Sequence, residues 1–194
     1  MANKIQNFDT GEKDNSNIIH LDLDPKINIE NKIYFKNLLK KIAECSLDNL
    51  EENLENLYHV DAEFNGFHPI NEIKGIEEIK NKYLIPLKKA FPDLERRNNL
   101  VIGGAFRDKV FVSFISHLTG TFKNEWLGVK PTNKTIYLRT CEAHQITNNK
   151  IIKSYTLIDT VDFIRQAGYW PINKSLGVEA VSYTHLTLPT RLPV

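Results

Sequence analysis

A chain of 194 residues with 41% hydrophobic and 25% charged content is long enough for one compact domain with tails, burying about 70% of its unfolded surface. Its formal net charge of +1, with Lys and Arg spread along the chain, offers no basic face to phosphates and argues against nucleic acid as a partner. No apolar run reaches the roughly 18 residues of a membrane span, and MANKIQNFDTGEKDNSN has no apolar signal core, so a cytoplasmic protein without a membrane partner is expected.

Residues 1–28 are polar, rich in Asn, Asp and Lys and punctuated by Gly11 and Pro25. That composition predicts a mobile arm, with a docked stretch near Ile18–Leu23. From Ile29 to Glu44 the spacing of Ile33, Phe35, Leu38, Leu39 and Ile42 predicts an amphipathic helix. A second helix starts at Asp48, read as its N-cap with Glu51 three residues on, and carries Leu50, Leu54 and Leu57 on one stripe. His59–Phe67 reads as a short strand entering the loop HPINEIKG. A third helix over Ile76–Ala90 has Ile76, Ile79, Tyr83 and Leu87 on one face, and Pro86 should kink it.

Beyond Phe91-Pro92-Asp93 the period changes to two. Leu94–Ile102, Lys109–Phe122, Thr135–Thr147 and Lys150–Ile158 are rich in Val, Ile, Phe, Tyr and Thr and are parted by GG, RD, PTNK and NN, which predicts four strands in an antiparallel meander. A last helix over Thr160–Ala167 is capped by Asp159 and stopped by Gly168. Three early helices covering one face of a long curled sheet is an α+β arrangement, and strands of this length must twist, so a cone with an internal hollow is expected. Cys45 and Cys141 fit no metal-ligand or disulfide spacing and read as two buried free thiols, with no metal site expected.

The hairpin RTCEAHQITNNKIIKSYTLID (139–159) concentrates polar residues, and its facing depends on register. A two-residue Asn148-Asn149 turn pairs Thr147 with Lys150 and Ile146 with Ile151. A bulged turn instead pairs Ile146 with Ile152, His144 with Ser154, Glu142 with Thr156 and Arg139 with Asp159, and one slip turns over every side chain of the second strand. The bulged register is preferred because it opposes Arg139 and Asp159 and stacks Cys141 on Leu157. Thr140, Glu142, His144, Ser154 and Thr156 then share a face whose ends, with Leu138, Ile146, Ile152 and Ile158, are apolar, as the wall of a small-molecule pocket tends to be. A solvated face, or a satisfied internal Glu142–His144 pair, is the alternative.

HPINEIKGIEEI, PLKKAFPDLERR, LTGTFKNEWLGVKPTNK, ITNNKIIKSYTLID and DFIRQAGYWP occur in an order and at spacings that resemble the SnoaL-like polyketide cyclase branch of the nuclear transport factor 2-like superfamily, over about residues 30–180. The resemblance implies a cone-shaped curved antiparallel sheet under three N-terminal helices, an apolar cavity, a homodimer and aldol cyclisation without metal or organic cofactor. It places the family's pocket His at Glu142 and its acid/base Asp at Thr156, and threonine is no general acid or base near pH 7. Glu142 is then the expected base, its carboxyl raised by burial to about 6 to 7, with His144 as partner.

Substrate contacts are expected from His68 and Asn65 at the cavity mouth, where a loop cap is the competing role. His117 could reach the site or be an ordinary sheet histidine. Trp126 reads as a flap or a dimer contact, Tyr83 as core or ligand stacking, and Ser154 and Thr156 as pocket wall. A second carboxylate, as an isomerase or hydrolase would need, could come only from Glu63 or Asp61. The domain is expected to end at residue 180, because VSYTHLTLPTRLPV (181–194) resembles a translated adapter or cloning scar. The expected function is proton transfer on a small hydrophobic carbonyl compound, with a non-catalytic binding module as the alternative.

Overall fold

A computed structural model describes residues 23–169. The expected arm before residue 23 and the segment 181–194 lie outside the described residues. Helix α1 (Pro25–Glu44) opens at Pro25 rather than Ile29. Asp24 accepts a hydrogen bond from the Lys26 N–H at 2.7 Å, and Pro25 occupies the first turn, where no N–H is needed. Its buried stripe is Phe35, Leu39, Ile42 and Ala43; Ile33, 56% exposed, lies off it. Helix α2 (Leu50–Leu57) is preceded by Asn49, not Asp48, at the N-cap, and Leu50, Leu54 and Leu57 are all buried.

Strand β1 (Tyr58–Asn65) is followed by β2 (Glu72–Lys74), which forms inside the stretch expected to be loop. The third helix is three pieces: α3 (Ile76–Glu78), a π-helical stretch (Ile79–Leu84) and α4 (Ile85–Ala90). Just before Pro86, where a kink is expected, the helix widens into this π-helical stretch, in which the Ile85 N–H reaches back to the Lys80 carbonyl. Widening moves the backbone away from the clash between the proline ring and the carbonyl four residues earlier. Strands β3 (Glu95–Phe106), β4 (Lys109–Thr121), β5 (Thr135–Thr147) and β6 (Lys150–Ile158) follow, then α5 (Thr160–Gln166), whose cap Asp159 accepts from the Asp162 N–H.

The six strands form one curved, unclosed sheet in the order β2-β1-β6-β5-β4-β3. The four late strands are the expected antiparallel meander. The sheet is mixed, however, because β1 runs parallel to β6. These two strands are distant in sequence, so no tight turn dictates their direction.

The β5–β6 hairpin uses both registers considered for it. Asn148 and Asn149 both take positive φ, 50° and 58°, a two-residue turn that pairs Thr147 with Lys150 and Ile146 with Ile151. A bulge between Gln145 and Ile146 then shifts the ladder, giving His144 opposite Ser154 and Glu142 opposite Thr156. The bulge sits one step inside the turn, so Ile151, not Ile152, is the buried residue of the pair. Because the extra residue resets the alternation, Ile151 and Ser154 both point inward.

Part of the core is an aromatic cluster. The Phe163 ring lies 5.0 Å from Trp126, 5.2 Å from Phe122 and 6.3 Å from Phe91 between centroids. Asp93 ties the entry to β3 to Thr121, accepting from its N–H at 2.7 Å and its hydroxyl at 2.6 Å. Replacing Phe163, which is fully buried, should lower stability most: Phe163→Ala is expected to cost about 3–5 kcal/mol in urea unfolding, whereas Val161→Ala, at a 55% exposed position of the same helix, should change little.

Candidate functional site

Alternation on three neighbouring strands turns Arg96 of β3, Ser116 of β4 and Glu142, with His144, of β5 toward the helices, and all are buried. Arg96 Nη1 and Nη2 each donate to Glu142, at 2.9 Å to Oε1 and 2.9 Å to Oε2. Its Nη2 also donates to Ser116 Oγ at 3.1 Å and its Nε to Asn98 Oδ1 at 2.9 Å. Ser116 donates onward to Asn98 Oδ1 at 2.9 Å. His144 Nε2 lies 3.2 Å from Glu142 Oε2, and its Nδ1 lies 2.9 Å from Ser154 Oγ. Ser154 Oγ is 3.4 Å from the Tyr58 hydroxyl. A carboxylate only accepts, so Nε2 carries hydrogen and donates to Glu142, leaving Nδ1 to accept from Ser154 while the ring is neutral.

This polar chain borders a cavity of about 40 Å³. Its apolar wall comes from α1, the π-helical stretch and α4, including Leu39, Ile42, Leu84 and Leu87, and its polar wall from Tyr58, Tyr83, Lys88, Arg96, Glu142, His144 and Thr156. A hollow of this size admits water or a very small molecule, well short of the roughly 300–1,000 Å³ of a drug-sized site. Tyr83 lies against Phe64, ring centroids 5.0 Å apart. The hydroxyls of Tyr83 and Thr156 face no hydrogen-bonding partner among the described residues.

Charge in this wall differs from the sequence expectation. Burial pushes the Glu142 carboxyl up, but the Arg96 guanidinium and the His144 N–H outweigh it and hold the group well below the ordinary carboxylate range. A base poised near neutrality is therefore not what the fold presents. Burial pushes the Tyr58 hydroxyl up to about 12 and Tyr83 higher still, the Glu142 charge adding to both. Burial lowers Lys88, a lysine whose Nζ donates to the carbonyls of Ala43 at 2.8 Å and Cys45 at 2.7 Å.

Of the residues singled out in the sequence, Glu142, His144, Ser154, Thr156 and Tyr83 come together as expected. The others do not. His117 is on the opposite face of β4, bonded to Asn99 at 3.0 Å and opposite Arg139, because odd-numbered residues of this strand point away from the helices. Asn65 alternates outward next to buried Phe64 and donates to the Ser154 carbonyl at 3.3 Å. His68 is exposed in the loop after β1. Trp126 is a core residue, 3% exposed, neither flap nor surface contact. Glu63 pairs with Lys153 at 2.7 Å and Asp61 is exposed, so neither supplies a second carboxylate. Arg139 and Asp159 do form their pair, at 2.8 Å. Cys45 and Cys141 are free, but half-buried and exposed rather than buried. Among the described residues no three His, Cys, Asp or Glu side chains group as metal ligands, and no helix is long and apolar enough to cross a membrane.

Sequence reading missed Arg96, Tyr58 and Lys88. Arg96 had a signal: it follows Leu94 by two in a period-two segment, so it shares the inward face, and an inward arginine demands a carboxylate. Lys88 had none, since its acceptors are backbone carbonyls of a distant helix.

Comparison with known proteins accords with this architecture. AclR, a candidate hydroxylase from Streptomyces galilaeus, superposes with a TM-score of 0.58 at 19% identity, covering 73% of this chain and 97% of that one. IdmH, a candidate polyketide cyclase from Streptomyces antibioticus, gives 0.56 at 17%, covering 69% and 98%. A nuclear transport factor 2-like superfamily protein from Salmonella enterica gives 0.53 at 13%, covering 78% and 96%. No curated protein matches the chain. The sequence profile of the SnoaL-like polyketide cyclases matches residues 36–167, from the middle of α1 to the end of α5, and the chain belongs to that family.

Proposed function

We propose that this protein binds a small molecule with an apolar body and a polar oxygen in the cavity beneath α1, and that it does so without using Glu142 as a base. The observation that carries this reading is the closed hydrogen-bond circuit of the wall. Both Glu142 oxygens are taken by Arg96, and both His144 nitrogens by Glu142 and Ser154. Tyr83 and Thr156 keep hydroxyls without hydrogen-bonding partners among the described residues, and these suit a carbonyl or hydroxyl oxygen of a ligand. Neighbours described as a candidate cyclase and a candidate hydroxylase fit a ligand with oxygen functions on a carbon skeleton.

Proton transfer on a small carbonyl compound is the second reading, and the Ser154 hydroxyl favours it. Ser154 can donate to His144 Nδ1 when the ring is neutral, or accept from it when the ring is protonated, so both ring nitrogens stay hydrogen-bonded in either state. Binding and exchange of 2-butanone in deuterated water separate the two. On the binding reading, Tyr83→Phe or Thr156→Val weakens 2-butanone binding by roughly 2- to 10-fold, and proton NMR shows no protein-accelerated loss of α-hydrogens. Accelerated exchange that disappears in His144→Gln would establish the proton-transfer reading instead.

We also propose that the protein works as a homodimer in the cytoplasm. Two unpaired thiols suit a reducing compartment. On the sheet face away from the helices, Leu100, Ile115, Cys141 and Leu157 form one cross-strand row, and Ile102, Ser113, Ala143 and Tyr155 the next. Leu157 is 62% exposed and Ile102 55%. Two such rows across four strands make a patch of a few hundred Å², the scale at which exposed apolar surface marks an interaction site, and a second copy of the same face is its simplest complement. Ile102→Glu with Leu157→Glu should convert a sedimenting dimer to a folded monomer; an unchanged sedimentation coefficient rules out this face.

The Arg96–Glu142 pair makes a separate prediction. Either Arg96→Met or Glu142→Gln should cost about 3–5 kcal/mol, and the double variant Arg96→Met/Glu142→Leu should recover much of it. Glu142 titrates lower in the folded chain than in the unfolded one, so its contribution is complete above the ordinary glutamate value of about 4.3 and is lost as pH falls below it. Urea unfolding from pH 7 to 3 should therefore show the gap between wild type and Glu142→Gln narrowing below about pH 4.

A further inference from the structure

We infer that Lys88 makes the cavity selective for a ligand that carries a negatively charged oxygen, such as a carboxylate, beside its apolar part. This rests on the reading of the cavity as a ligand site and names the chemical class of its occupant.

Lys88 belongs to α4 and is 6% exposed, yet it lies in the wall of the same cavity as Glu142 and His144. An ammonium has three N–H donors. Two are used, on the Ala43 and Cys45 carbonyls at the C-terminal end of α1, and the third has no acceptor among the described residues. Backbone carbonyls supply dipoles but no countercharge. No carboxylate comes within ion-pair distance of Lys88 among the described residues. The side chains that act electrostatically on Lys88 are Cys45 first and Glu44 second; Glu44 has a 35% exposed side chain that approaches Lys40 at 3.9 Å and accepts from the Arg96 backbone N–H at 3.3 Å.

Arg96 and Glu142 cancel as a hydrogen-bonded pair, and Lys88 leaves one positive charge facing a small, largely apolar hollow. Burying an unpaired cation is costly, and an anion entering the hollow would replace the missing partner in a low-dielectric setting. A structural role in closing the end of α1 would account for two of the three N–H donors. It does not account for a full charge placed where a neutral donor would serve.

The test compares butyrate with butyramide, which have nearly the same shape and differ in charge, binding being followed by NMR titration of the whole chain. Butyrate should bind on the order of tenfold more tightly or better, and the Lys88 Cε and Hε signals of the wild-type protein should move with butyrate but not with butyramide. Lys88→Met, checked for folding by circular dichroism, should abolish the preference, and Lys88→Arg should keep it. Equal affinity for both probes, or a preference with the Lys88 signals unmoved, overturns the inference while leaving the cavity as a binding site. A preference that survives in folded Lys88→Met overturns it as well. Failure of both probes to bind overturns the inference together with the binding reading.

Discussion

Two opposite charges held out of water in the middle of the sheet govern much else in this molecule. Arg96 and Glu142 sit on β3 and β5, which are not neighbours; β4 runs between them. Strands are about 4.8 Å apart, and Arg96 lies in the row of Leu118 and Leu138, four residues along β5 from Glu142, so the pair reaches diagonally across two strand spacings, passing Ser116 between Phe114 and Leu118. Desolvation makes each charge costly on its own. A one-residue slip of β3 or β5 would turn one partner outward and leave the other buried and unpaired, so the ion pair fixes the register of three strands at once. The Ser116 and Asn98 bonds take two more of the guanidinium's five N–H donors, and His144 adds a third donor to the carboxylate.

Elements governed by local chemistry could be read from the sequence. β5 and β6 have the boundaries that alternation predicts, the three leucines of α2 line one stripe, and Asp159 caps α5. The hairpin was readable as a choice between two registers, and the chain uses one at the turn and the other beyond the bulge, because Ile151 and Ser154 cannot both face inward otherwise. Long-range features were less readable. Nothing near β1 indicates that it will run parallel to β6, and the π-helical stretch depends on how one proline is accommodated within a packed helix.

The candidate site divides in the same way. Parity within a strand found Glu142, His144, Ser154 and Thr156. For His117 parity decides between the two readings left open: Val112, Phe114 and Leu118 mark the inward face, and His117 is an ordinary sheet histidine bonded to Asn99. Trp126 was judged by its loop-like neighbours, whereas contacts with Phe67, Phe91 and Phe163 decide its burial. The expected rise of the Glu142 carboxyl followed from burial alone, and the countervailing arginine sits 46 residues away in the chain.

That arginine also separates this wall from that of an acid/base catalyst. A general base works best when its proton affinity is near the working pH, and an unpaired carboxyl in an apolar hollow is driven toward that range by desolvation. Here desolvation is present but overruled, so Glu142 stays charged and accepts hydrogen bonds without taking up protons. Thr156 opposite it can donate or accept a hydrogen bond and cannot exchange a proton near neutrality. The same fold could hold a reactive carboxyl if Arg96 were absent and an acid stood at position 156. With both residues as they are, the wall presents a fixed set of hydrogen-bond donors and acceptors, closed by His144, Ser154 and Tyr58.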